Sequence, residues 1–260
     1  MPDAPDPSTL IDKDVSRRFW EERTAAPTDP RSVTLDRQSA ASVAREVQLY
    51  QRWMLRALEA LGVAPRRILD LGCGNGDWTV KLAERAEQLV ALDFTDGFVA
   101  HCRDRLRAAG LSDRATVVQA DIGAYAPEGP FDLIVAGAVT QYLPDADLAG
   151  LLPRLRAALA PGGALYLRTT VATHADRFVN TTRSFQGIYR SRAWYRRALA
   201  AADFTPARES MATWFVADEL AFRAFGEHAG SRALALPLKA IRWTYRFPRK
   251  HDVYVCVARS

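Results

Sequence analysis

The chain is expected to fold as an α/β protein, a seven-stranded, mostly parallel sheet with helices on both faces, and three observations point there. Between residues 66 and 172 short apolar runs alternate with amphipathic stretches of helix length. Strands joined by helical crossovers lie parallel, because each crossover must return over the sheet. The first run leads into three glycines in five positions, "ILDLGCGNGDW" over residues 68–78, and glycines in that place let backbone approach a ligand closely. Hydrophobic residues make up 48% of the 260, enough for such a core.

The elements follow in order. Residues 1–10, rich in Pro and Asp, are expected to be disordered, and residues 11–62 to form an N-terminal helical cap. Within the cap Val43, Val47, Tyr50, Met54, Leu58 and Leu61 recur every three or four residues, a helical stripe that Gly62 should end. Then come "RRILDLG" as a strand, residues 77–86 as a helix, "QLVALDF" as a strand, and residues 96–109 as a helix closed by Gly110. "ATVVQAD" and "FDLIVAGAV" read as two more strands and residues 147–160 as a helix that Pro153 should kink or delay. "ALYLRTTV" is the fifth strand. Beyond it "AWYRRALAAADF" reads as helical, "TPARESMATWFV" as extended, and "DVYVCVARS" as a closing strand after a basic, aromatic-rich insertion. The main domain is taken as residues 63–260, with two basic segments inserted at about 172–200 and 218–250.

Composition narrows the setting. No run approaches the ~20 apolar residues of a membrane span, and the acidic, proline-rich start does not resemble a signal peptide, so a cytoplasmic protein is expected. Cys73, Cys102 and Cys256 lie far apart without metal-site spacing and are expected as reduced thiols, with no metal implied. The net charge of +5 is local. Arg168, Arg177, Arg183, Arg190, Arg192, Arg196 and Arg197 face the single acid Asp176 over residues 168–197, and residues 232–251 carry no acid but Lys239, Arg242 and four further cations. A solvated basic face and a surface for an acidic ligand both fit that pattern.

The glycine spacing decides between nucleotides. A dinucleotide loop needs G-x-G-x-x-G, whereas here it is G-x-G-x-G with Asp77 where the third glycine would stand. Asp70 and Asp77 would repel a pyrophosphate and suit a ligand that carries positive charge.

"LDLGCGNGDW" resembles the first motif of class I S-adenosylmethionine-dependent methyltransferases, a family with a Rossmann-like fold. Three later features agree in order: Asp93 at the end of the second strand, Asp121 followed by Ile122 at the end of the third, and "FDLIVAGAVTQYL" with "LRAALAPGGALYLRT" for the fourth and fifth strands. The resemblance covers about residues 65–172. It implies S-adenosylmethionine as cofactor, with S-adenosylhomocysteine as product, and the segments at about 172–200 and 218–250 as substrate lids. Asp70, Gly72, Gly74, Gly76, Trp78, Asp93, Phe94, Asp121, Ile122, Ala138 and Tyr50 would be its binding residues. Asp93 would take the ribose hydroxyls, Asp121 the adenine amino group, and Ile122 would pack on the ring. Simpler readings stand beside these: Asp70 capping the turn, Asp93 reading the ribose of NAD, Asp121 capping a loop.

Methyl transfer from a sulfonium is largely positioning and exclusion of water, and aromatic faces help to hold the charge. Trp20, Gln141, Tyr142, Arg168, Arg183 and Arg192 are the candidate substrate residues, with His174 and Tyr142 the candidate catalytic groups. The chain lacks the loop of amino-methyltransferases and the cysteine of cytosine-carbon enzymes. What remains resembles small-molecule or natural-product methyltransferases acting on an O, N or C atom of an anionic or carrier-tethered metabolite. Two other readings stay open: an RNA methyltransferase using "LKAIRWTYRFPRKH", where aromatic and basic residues interleave, and a non-catalytic interaction protein with the same fold.

Overall fold

The computed structural model describes residues 11–33, 40–172, 175–181, 185–211 and 249–258. The expected disordered start and most of the 218–250 lid lie outside the described residues.

Two helices precede the sheet, α1 (Lys13–Arg23) and α2 (Ala40–Ala60). Helix α1 starts at Asp12, whose side chain accepts from the Asp14 backbone N–H and so satisfies one of the open donors of the first turn. The α2 stripe buries Val43, Tyr50, Met54 and Leu58. Its end is set as expected: Gly62 takes φ +71° while the Val63 N–H reaches back to the Leu58 carbonyl at 2.9 Å.

The sheet then alternates with helices: β1 (Arg67–Leu71), α3 (Asp77–Ala83), β2 (Gln88–Asp93), α4 (Asp96–Ala108), β3 (Ala115–Gln119), β4 (Phe131–Gly137), α5 (Asp145–Ala157) and β5 (Leu159–Ala172). These five strands pair in parallel in the order β3-β2-β1-β4-β5. The order reverses between β1 and β4, so a crevice opens above their C-terminal ends. Helices α2, α3 and α4 cover one face through Tyr50, Leu58, Leu82 and Leu106, and α5 covers the other through Leu148, Leu151, Leu152 and Leu155. Pro153 is accommodated inside α5.

The last strand, β9 (Arg249–Val257), runs antiparallel beside β5, and β8 (Pro206–Met211) runs antiparallel beside β9. Seven strands thus form the sheet expected from the sequence. Two more strands, β6 (Arg177–Thr181) and β7 (Gln186–Ser191), make a ribbon that was not expected. Strand β4 ends opposite Arg168, and β7 pairs with the β5 edge beyond, at Val171 and Ala172. Helix α6 (Arg192–Ala201) follows, capped by Ser191, whose Oγ accepts from the Trp194 N–H. Residues 186–200 fall within the segment expected as a lid at about 172–200, and there Ile188, Tyr189, Arg190, Tyr195 and Leu199 are fully buried in the packed sheet edge.

Candidate functional site

The loop after β1 is drawn tight by backbone bonds, with the Gly72 and Cys73 N–H groups both donating to the Leu92 carbonyl at 2.8 Å. Gly72 has φ +75°, and a Cβ there would lie 2.8 Å from Val139 Cγ2, so a side chain is excluded twice over. The Gly74 N–H donates to Asp93 Oδ2 at 2.9 Å, while Asp93 Oδ1 accepts from the Thr95 N–H and Oγ1. Asp93 thereby ties the glycine loop to the end of β2. Burial holds its carboxyl above the usual value, and these hydrogen bonds oppose that shift in part.

Around this loop lies a cavity at the crevice between β1 and β4. Its walls include Gly72, Gly74, Trp78, Asp93, Phe94, Asp121, Ile122, Ala138, Trp20, Tyr142 and Arg168, all named from the sequence. The walls also include Lys13, Ser16 and Arg17 from α1, Val33, Val47 and Val139, which sequence reasoning missed. Of α1 only Trp20 is named from the sequence, because the tertiary fold and not the local sequence brings that helix over the sheet.

At one end of the cavity Asp121 Oδ1 accepts from the Gly123 N–H at 2.9 Å, and Lys13 Nζ stands 2.7 Å from Asp121 Oδ2 and 2.5 Å from Asp147 Oδ2. Phe94 lies under the Arg17 guanidinium, 5.9 Å from its ring centre. At the other end Ala138 holds φ +62°, a left-handed turn that a non-glycine residue adopts only at a cost, and its N–H donates to the Arg168 carbonyl. Trp20 meets Tyr142 edge to face at 5.4 Å. Burial pushes the Tyr142 phenol well above its ordinary value, so it is a neutral hydroxyl and not a base.

Arg168 sits over the Tyr50 ring at 4.7 Å and beside Trp78 at 5.8 Å. Two donors here, Arg168 Nε and Trp78 Nε1, are buried without a hydrogen-bond partner among the described residues. Unpaired buried donors are costly, and a bound anion or acceptor would satisfy them.

Five expected site residues stand elsewhere. Asp70 is buried beneath the loop, where it accepts from Thr79 Oγ1 at 2.7 Å. Gly76 packs against Cys102 at the start of α3. Tyr50 is not a cavity wall, since the Arg168 guanidinium already covers its face. Gln141 is buried in the 3-10 turn Thr140–Tyr142, a tight turn that sends neighbouring side chains to different sides, and only Tyr142 reaches the cavity. Arg192 is held by Asp252, with Nε 2.6 Å from Oδ2 and Nη2 2.5 Å from Oδ1, and lies outside the cavity walls. His174 and Arg183 fall outside the described residues. Asp77 also lines the cavity, beside Asp93 and Asp121, and its pairing with Arg105 at 2.5 Å offsets the repulsion expected of it.

The residues fit the cofactor that the glycine loop implies. The loop's Cβ positions are blocked by its own neighbours, so backbone faces the cavity there. Acceptors for hydroxyl and amino groups stand in line at the ends of β2 and β3, with the apolar Ile122 beside them.

Residues 68–163 match a family described as a methyltransferase domain. A trans-aconitate 2-methyltransferase of Methylobacterium nodulans is 43% identical over 104 residues, 39% of this chain and 37% of that protein, and one of Acidovorax is 46% identical over the same shares. The chain thus spans well under half the length of the curated relatives it matches. Among solved structures, the N-methyltransferase NodS of Bradyrhizobium japonicum in complex with S-adenosylhomocysteine superposes with a TM-score of 0.56 at 15% identity, over 94% of this chain and all of that one. The cyclase SpnF superposes with 0.61 at 19% identity, over 100% and 98%. That a cyclase shares the fold shows that the fold alone does not fix the reaction.

Proposed function

We propose that this chain, whose residues 68–163 belong to the methyltransferase-domain family, transfers a methyl group from S-adenosylmethionine to an oxygen of a small anionic acceptor, a carboxylate above all. The observation that carries the acceptor class is Arg168, a guanidinium at the cavity wall whose Nε, like the neighbouring Trp78 Nε1, is buried without a hydrogen-bond partner among the described residues. Both trans-aconitate enzymes act, by name, on an acid, which agrees with this class.

Bound S-adenosylmethionine would supply an electrophilic methyl group on a sulfonium. Asp93 and Asp121 would accept hydrogen bonds from its adenosine, and Ile122 and Phe94 would flank the ring. Binding at Asp121 requires Lys13 to share or release that carboxylate. Arg168 would hold the acceptor's carboxylate through paired N–H groups, a geometry for which guanidinium is suited. A carboxylate is already deprotonated at neutral pH, so its oxygen attacks without a general base, and the neutral Tyr142 need only donate a hydrogen bond. Trp20 on α1 would exclude water from that end.

The test is labelled-methyl transfer into a panel of di- and tricarboxylic acids, with alkaline hydrolysis of the product. Label released as methanol identifies a methyl ester. Label that is stable to base places the methyl on another atom and overturns the carboxylate reading. Asp93→Ala should lose S-adenosylhomocysteine binding by calorimetry, and full retention would overturn the assignment of the cofactor site. The RNA reading rests on residues 238–251, of which only the last three are described.

A further inference from the structure

We propose that Arg190, buried behind the cavity wall and not itself lining it, is the positioning residue for the turn between β4 and α5, and so for the cavity wall opposite the glycine loop. The inference rests on the proposed reading of the cavity as a cofactor site.

Arg190 is fully buried, which for an arginine demands that its charge and donors be satisfied. All its partners belong to this one turn. Nη1 donates to the Thr140 carbonyl at 3.0 Å, Nη2 to the Leu143 carbonyl at 2.6 Å, and Nε to Asp145 Oδ1 at 2.7 Å. The Trp194 ring lies against its other face at 4.7 Å, and Arg177 holds the second oxygen of Asp145 at 2.7 Å. The guanidinium therefore ties the carbonyls of Thr140 and Leu143, three residues apart, and the first residue of α5 to one planar group. A planar fork can do this, whereas a point charge such as lysine cannot.

The turn so fixed is the one that reaches the cavity. It carries Ala138 in its left-handed conformation, Val139 against Gly72, and Tyr142 against Trp20. The ribbon β6–β7, which places Arg190 behind the turn, thereby acquires a role beyond closing the sheet edge. The adenosine acids Asp93 and Asp121 stand at the ends of β2 and β3, on the other side of β1 from this turn. Disturbing Arg190 should therefore spare the adenosine end and weaken the end that faces β4.

Two ligands separate these ends: S-adenosylhomocysteine, and 5′-methylthioadenosine, which carries the same adenosine without the amino-acid part. In calorimetry with the full chain, Arg190→Lys should weaken the first by about tenfold and the second by less than about twofold, because charged hydrogen bonds to two carbonyls are lost. Arg190→Met should extend the same split. If Arg190→Met does not give a cooperative melting transition, Arg190→Lys and Asp145→Asn decide the matter. Equal weakening of both ligands, or no weakening of S-adenosylhomocysteine, overturns the proposal. Failure of the parent chain to bind either ligand would instead overturn the cofactor reading on which it rests.

Discussion

At the scale of single residues, Asp70 shows how a carboxylate beneath the glycine loop differs from one that lines it. Burial lifts its carboxyl from the usual 3.8 to about 6, the Thr79 hydroxyl opposes that shift, and the nearby Asp93 adds to it. A folded pKa above the unfolded one means that the native state binds the proton more tightly. Stability from this group is therefore full below about pH 4, falls as pH rises to about 6, and stays low above that. Asp70→Asn cannot ionise, and its amide oxygen still accepts from Thr79. Its stability relative to the parent should improve between pH 4 and pH 7 by at most about 3 kcal/mol, measured by urea unfolding across that range. A difference that does not change with pH would show that Asp70 does not titrate in this window. Asp93 is also buried, yet three hydrogen-bond donors from Gly74 and Thr95 support its charged form, so it is the better acceptor for a ligand.

At the scale of elements, the arginines after β5 hold helices and strands together. Arg192 at the start of α6 binds Asp252 on β9, which is 1% exposed and also accepts from the Tyr254 hydroxyl. Removing one partner of such a pair leaves a buried charge uncompensated. Arg192→Met should cost about 3 kcal/mol in urea unfolding while S-adenosylhomocysteine affinity stays unchanged; a normal stability with weakened binding would return Arg192 to the substrate site. The glycine loop, Asp93 and Asp121 were legible in the sequence because each is a local signal, a turn type or an acid at a strand end. The basic stretch over residues 168–197 was not, since its acids lie elsewhere in the chain. Arg190 finds Asp145, and Arg192 finds Asp252, only once the strand order is set. The ribbon β6–β7 escaped notice for a related reason: its pairing depends on the β5 edge that β4 leaves open.

At the scale of the whole molecule, the cavity is closed by an element that precedes the sheet by more than forty residues. Contacts that hold helix α1 include Lys13 on Asp121 and Asp147, the Asp12 N–H on Gln186 Oε1, Glu21 on the Asp96 N–H, Arg17 over Phe94, Phe19 against Phe185, and Trp20 against Tyr142. The Lys13 contacts are partly exposed, so together they are worth about 1 kcal/mol, enough to bias the docking of one helix but not global stability. Local opening of α1 should therefore be separable from unfolding of the sheet. In hydrogen exchange, Lys13→Met should speed the α1 amides by about fivefold and leave those of β1 and β4 unchanged. High salt should reproduce part of that acceleration in the parent chain, because it screens exposed pairs. Saturating S-adenosylhomocysteine should slow α1 exchange in the parent, since a ligand that contacts α1 and the sheet together stabilises the docked state. An α1 that exchanges at the same rate in all three conditions would mean that Trp20 and the backbone contacts alone close the cavity.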